Sequence, residues 1–290
     1  MTIDMSTTRT DLALESVQAA CSGAEAGTIS GVRSRERTRE GYAVTDIRVE
    51  DEDGAQALGK PVGRYVTVDL GPYFRREADY FDRGVRCLAG ELAALLPEGP
   101  VLAAGLGNRA MTCDAVGPAS IDNLLVTRHM IRAMPRQFAD FRPVAAVCPG
   151  VLARTGLEAL ELVRGAVERV RPAAVIAVDA LAARDSARLC ATVQLSDTGL
   201  VPGSGVGNRR SALDRGTLGV PVIAVGIPTV VDADPRAGLF LTPRDIDQRI
   251  RELGRLLGYG ITLALQPSLT AADVTALLGL SLIHISEPTR

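Results

Sequence analysis

Bases are scarce in this sequence. Across 290 residues Lys60 is the only lysine, and His129 and His284 are the only histidines. Catalysis built on a histidine or lysine base therefore has very few ways to be assembled. No HExxH stretch occurs, and a Ser-His-Asp triad would have to recruit His129. The five cysteines, Cys21, Cys87, Cys113, Cys148 and Cys190, are scattered and never form a CxxC pair, which argues against a disulfide scaffold or a structural zinc site. Cys113 has no histidine close in sequence to activate it, and a small packed thiol is its expected role. No apolar run is long enough to span a bilayer, and the start, MTIDMSTTRTD, lacks the basic-then-apolar layout of a signal. A formal net charge of −2 excludes a general nucleic-acid or membrane-surface binder. A cytosolic protein is expected, acting on neither nucleic acid nor membrane.

Carboxylates and apolar residues, by contrast, are plentiful, and with 47% hydrophobic residues the chain can bury a sizeable core. Two stretches stand out. VLAAGLGNRAMTCDAVGP (Val101 to Pro118) and AAVIAVDALAAR (Ala173 to Arg184) each begin as an apolar run that reads as a strand buried on both faces. The first leads to Asp114 and the second to Asp179. Open α/β sheets place ligands at the carboxyl ends of such strands, so both acids fall near one sheet edge. Two acids held close share a proton, one serving as base toward water and the other as acid toward a leaving group. Spacing alone permits this meeting without requiring it.

The rest of the chain reads as strands alternating with helices, hence a parallel α/β sheet. Thr28 to Leu70 alternates like an antiparallel layer flanking that sheet, with turns at Asp53-Gly54 and Gly59. Helices are expected over Pro72 to Pro97, Ala119 to Met134 and Thr155 to Arg171, the last opened by a Thr155/Glu158 capping box. His129 shares helical spacing with Ile121 and Leu125 and is expected to pack in the core. Further strands are expected at Arg142 to Val151, Leu189 to Leu195 and Pro221 to Val231. The final helix is expected to open with Thr242 as N-cap and Pro243 at its first position. GLGN (Gly105 to Asn108) lacks the third glycine of a dinucleotide fingerprint, and GSGVG (Gly203 to Gly207) lacks the Lys of a phosphate loop. Both read as close backbone approaches beside a site.

Taken together, GLGN, CDAVGP, IDNLLVTRH, FRPVAAVCPGV, IAVDALAAR, VQLSDTGLVPGSGVGNRR and GVPVIAVGIPTVVDA resemble the germination protease (spore protease) family. TRTDLALE, GRYVTVDLG and LTPRDID extend the likeness toward both ends. The resemblance implies a phosphorylase/hydrolase-like α/β fold, related to the hydrogenase-maturation peptidases. It implies a cytoplasmic, spore-core endopeptidase that degrades small acid-soluble spore proteins at germination and assembles as a homotetramer. Its catalytic aspartates would be Asp114 and Asp179, supported by loop residues Asn108, Asp122, Arg184, Asp197, Ser204 and Asn208. No cofactor is required, although the family has been sorted both as aspartic-like and as metal-dependent, so a metal bridging the acids stays open. The family matures by removing its own N-terminal peptide, which places the cut at Asp11-Leu12 and makes residues 1–11 a propeptide ahead of one peptidase domain, 12–279. Two departures stand out: the segment between Val231-Asp232 and Leu241-Thr242 is shorter than in some members, and Cys113 stands where a proline is familiar. The last residues, LSLIHISEPTR (280–290), read like a translated sequencing adaptor and are set aside from fold reasoning. Another hydrolase of this fold, a metal-dependent maturation peptidase or a peptidyl-tRNA-hydrolase-like protein hinted at by GLGN, and a non-catalytic binding module are the alternatives.

Overall fold

A computed structural model of the chain describes residues 10–22, 29–204, 210–234 and 239–284. In chain order these form α1 (Ala13–Ser22), β1 (Val32–Arg39), β2 (Tyr42–Val49), α2 (Glu52–Leu58), β3 (Gly63–Asp69), α3 (Gly71–Phe74), α4 (Tyr80–Ala93) and β4 (Val101–Leu106). Next come α5 (Val116–Asp122), α6 (Arg128–Ala133), β5 (Val144–Gly150), α7 (Leu152–Thr155), α8 (Ala159–Val170), β6 (Ala174–Ala183) and β7 (Thr192–Ser196). The last are α9 (Arg215–Leu218), β8 (Val222–Asp234), β9 (Leu239–Leu241), α10 (Ile246–Leu265) and α11 (Ala271–His284).

Among the described residues all nine strands join one sheet, in the order β1-β2-β3-β7-β8-β6-β4-β5, with β9 paired to the far end of β8. β8, β6, β4 and β5 run parallel, and β1, β2, β3 and β7 continue the sheet in antiparallel pairs. The predicted flanking layer is therefore an extension of the main sheet, joined through β7. Helices cover both faces because the parallel strands are apolar on both. On one face, alternate residues such as Ala103, Ile176, Val178 and Val225 pack against α4, α5 and α10. On the other, Leu102, Ala104, Val175 and Ala177 meet Leu160, Val163 and Val167 of α8. The antiparallel end is closed by α1 and α2, where Ala13 and Leu58 pack on Ile47, Val49 and Tyr65.

Several boundaries differ from the sequence reading. The predicted Pro72–Pro97 helix is two, α3 and α4, separated by Arg76 and Asp79 in left-handed conformation. Asp53-Gly54 lies inside α2, whose N-cap Asp51 accepts from the Gly54 N–H. The Ala119–Met134 helix breaks between α5 and α6, where the Leu125 N–H donates to Thr262 and Thr127 bonds the Arg142 carbonyl. His129 is exposed instead of packed in the core. Gly156, in left-handed conformation, ends α7, so the capping box is Glu158 with Glu161 and α8 starts at Ala159. The Leu189–Leu195 strand is shifted to Thr192–Ser196. Thr242 does not cap α10; its hydroxyl donates to the Thr229 carbonyl, and Asp245 is the N-cap. Of the C-terminal stretch set aside above, 280–284 continue α11 and 285–290 lie outside the described residues.

Candidate active site

The site lies where β6 outruns its neighbour. β4 pairs with β6 from Val101↔Ala174 to Gly105↔Val178 and then ends. Asp179 is thus the first β6 residue beyond that pairing, and it is buried, with 6% of its surface exposed. It points to the α8 face, since Val178 points to the other and strand side chains alternate. Past the end of β4 the chain enters a 3-10 turn, Thr112–Asp114, that folds back over the strand end. Gly107 permits this: its φ is +107°, and a Cβ there would fall 2.0 Å from the Asp114 carbonyl oxygen. The Asn108 N–H donates to the Asp114 carbonyl at 3.0 Å and to its carboxylate Oδ2 at 2.9 Å. From β8, Thr229 Oγ1 donates to the Cys113 carbonyl at 2.6 Å and ties the turn to the sheet. Asp114 and Asp179 line one cavity with Gly107, Asn108 and Thr229.

The environment separates the two acids. Asp179 is held well above the ordinary carboxylate range, chiefly by burial, then by the charges of Asp114 and Asp11, against one stabilising bond from the Ala180 N–H to Oδ1 at 2.9 Å. Asp114 is also raised by burial, and the Asn108 N–H opposes that shift. Asp179 therefore keeps its proton to higher pH than Asp114. Burial, and then the Asp114 charge, push the Cys113 thiol up, which disfavours a thiolate nucleophile there. Among the described residues no three His, Cys, Asp or Glu side chains converge as a metal-ligand set.

The length of β6 that β4 leaves uncovered is occupied by the N-terminal segment of the same chain. The Asp11 N–H donates to the Ala182 carbonyl at 2.9 Å, and the Ala182 N–H donates back to Asp11 Oδ2 at 2.9 Å. Ser204 Oγ donates to Asp11 Oδ1 at 2.8 Å. Lys60 Nζ donates to the Thr10 carbonyl at 3.1 Å; burial lowers its pKa, against the raising effect of Asp11 and Glu15. Leu12 is fully buried against Ala183 and Val231, with Leu181 and Leu189 around it. Glu15 closes the segment by accepting from the Arg184 and Asp185 N–H groups at 2.7 and 3.0 Å. Asp11 lines the cavity that holds both aspartates.

Of the expected supporting residues, Asn108 and Ser204 are at the site, and Arg184 meets Glu15 through its backbone N–H. Asp122 is engaged by the exposed Arg109, and Asp197 accepts from the Arg64 N–H at 2.8 Å; neither lines the cavity of the two acids. Asn208 lies outside the described residues. Sequence reasoning missed Lys60, Glu15 and Gln194. Lys60 carried a signal as the only lysine of the chain, and Glu15 and Gln194 stood in the family-like strings TRTDLALE and VQLSDTG without being singled out.

The germination protease profile (peptidase family A25) matches residues 9–238. This chain belongs to the germination protease family. Its similarity to curated germination proteases runs nearly end to end: 39% identity to that of Caldanaerobacter subterraneus subsp. tengcongensis, over 93% of this chain and 98% of that protein. The Clostridium perfringens protein is 36% identical over the same shares, 93% and 98%. That of Bacillus cytotoxicus is 40% identical over 92% of this chain and 76% of its own length. A solved [NiFe] hydrogenase maturation protease from Thermococcus kodakarensis superposes with a TM-score of 0.38 and 17% identity, over 61% of this chain and 99% of its own.

Proposed function

We propose that this germination protease is a self-processing endopeptidase that cuts its own Asp11-Leu12 bond and then small acid-soluble spore proteins, with Asp114 and Asp179 activating the attacking water. What supports the reading is the seating of Thr10, Asp11 and Leu12 along β6, with Asp11 facing the cavity of the two acids.

Asp114, the acid that ionises first, takes a proton from water as the water oxygen bonds to the Asp11 carbonyl carbon. Asp179 Oδ1 accepts from the Ala180 N–H, leaving Oδ2 to carry the proton. That proton goes to the Leu12 nitrogen as the carbon–nitrogen bond breaks, and the proton gained by Asp114 resets the pair. A metal bridging the acids is the competing version, and among the described residues no third His, Cys, Asp or Glu side chain joins the two carboxylates as a ligand set. Homotetramer assembly and action in the spore core are part of this reading by family kinship.

The test is intact-mass analysis of the purified full chain during incubation at mildly acidic pH. Wild type loses residues 1–11 with time, the Asp114→Asn and Asp179→Asn chains do not, and a chelator leaves the wild-type rate unchanged. Shortening at an undiminished rate in either variant would sink the two-aspartate mechanism.

A further inference from the structure

Gln194 lies in the middle of β7, opposite Gly226 of β8, and Gly226 lies opposite Asp179 of β6. Registered partners share a face, so Gln194, Gly226 and Asp179 form one row across the sheet. Gly226 contributes no side chain to that row; a Cβ there would sit 2.5 Å from the Leu181 side chain. The Gln194 side chain is buried, with 8% exposure, and it bonds the docked segment at both ends. Its Oε1 accepts from the Ala13 N–H at 2.7 Å, and its Nε2 donates to the Asp11 carbonyl oxygen at 3.0 Å. The orientation of the amide follows from chemistry: the Ala13 N–H can only donate, so the oxygen must face it and the NH2 must face the Asp11 carbonyl.

We propose that Gln194 is a further catalytic residue, donating to the carbonyl oxygen of the bond being cut as that oxygen takes on negative charge. The inference rests on cleavage at Asp11-Leu12 as proposed above. That carbonyl belongs to the residue before the cut, and the Ala13 N–H to the second residue after it, so one side chain grips the scissile bond from both sides. A neutral donor fixed in place before the reaction stabilises an oxyanion without reorganising, and in a site closed to water the effect is large. Gln194 neither gains nor loses a proton: water adds to the Asp11 carbon, the carbon–nitrogen bond to Leu12 breaks, and Asp179 supplies the proton to nitrogen. The same grip would act on any peptide laid along this length of β6, so substrates cut in trans present their scissile carbonyl to the same NH2.

The experiment compares full-length wild type with Gln194→Met and Gln194→Leu, both neutral, of similar size and without a donor for the Asp11 carbonyl. Intact mass gives the rate of loss of residues 1–11, and hydrogen exchange at the Ala182 N–H, read in an Asp179→Asn background, gives the docked fraction. The expected result is a rate lower by about 10²- to 10³-fold in both variants while Ala182 stays protected. Either variant processing within threefold of wild type would overturn the assignment. So would a loss of Ala182 protection in step with the loss of rate, since that makes Gln194 a docking residue only. A wild type that never shortens removes the underlying cleavage reading, and the assignment with it.

Discussion

Leu12→Ala gives the sharpest test of how the N-terminal segment is held. Leu12 is fully buried in a small cluster made by Ala183 and Val231, with Leu181 and Leu189 around it. The segment's other attachments are hydrogen bonds: Asp11 to Ala182 and Ser204, Gln194 to both neighbours of Leu12, Lys60 to Thr10, and Glu15 to two amides. Each such bond nets about 0.5–1.5 kcal/mol between neutral groups and roughly 1.5–3 kcal/mol where a carboxylate or the Lys60 ammonium takes part, because water offers a substitute when the segment lifts. Truncating a buried leucine to alanine costs about 2–5 kcal/mol, the transfer loss plus the cavity left behind. One side chain thus rivals several of the neutral polar contacts together. In a chain silenced by Asp179→Asn, so that the segment is not removed, Leu12→Ala should speed hydrogen exchange at the Ala182, Arg184 and Asp185 amides. The increase is about thirtyfold at the low end of that range. Amides within the parallel core, such as Ala177, should keep their wild-type rates. Unchanged exchange at Ala182 would refute the claim that Leu12 anchors the segment.

Two further outcomes are expected. Ser204→Ala removes the hydroxyl donor from the Asp11 carboxylate and leaves the Ala182 N–H in place. A bond to a charged group is worth roughly 1.5–3 kcal/mol, so self-shortening should slow by about tenfold or more, measured by intact mass; an unchanged rate would show that Ser204 does not hold the acid. The third outcome concerns pH. A carboxyl whose pKa is raised in the fold, as burial and neighbouring charge raise Asp179, imposes a penalty that is absent below the ordinary carboxylate value and complete above its folded value. Adding Asp179→Asn to an Asp114→Asn chain should therefore raise the melting temperature at neutral pH. The gain should fade as pH drops through the folded pKa of Asp179 toward the ordinary range, and a pH-independent difference in thermal melts would contradict it. Activity follows a bell: processing is lost at high pH as Asp179 ionises and at low pH as Asp114 is protonated.

Much of this protein was legible in its residues. Apolar runs such as VLAAGL and AVIAV fixed buried parallel strands, because only burial on both faces tolerates unbroken hydrophobicity. The helix expected over Thr155 to Arg171 is present as α8, whose Leu160, Val163 and Val167 meet the sheet. Asp114 and Asp179, placed after such runs, could be singled out because few bases compete with them and because they sit in strings shared with a known family. Local pattern failed where a distant partner decided. The helix expected over Ala119 to Met134 broke where Thr127 and Thr262 satisfied backbone groups from elsewhere. His129 lost its helical spacing from Ile121 and Leu125 at that break, and in α6 it is exposed to solvent.

Tertiary structure alone determined the arrangement around the acids. β7 enters between β8 and β3, the latter far from it in sequence, and only that register sets Gln194 in line with Gly226 and Asp179. The ending of β4 at Leu106 leaves a length of β6 with open hydrogen-bonding groups, and buried backbone must find partners; here Asp11 supplies them. Sequence determines such features only through contacts between residues distant in the chain, such as Asp11 and Ala182, 171 positions apart. A period of two or 3.6 carries no information about which strand lies beside which, so the acids could be read from the chain and their setting could not.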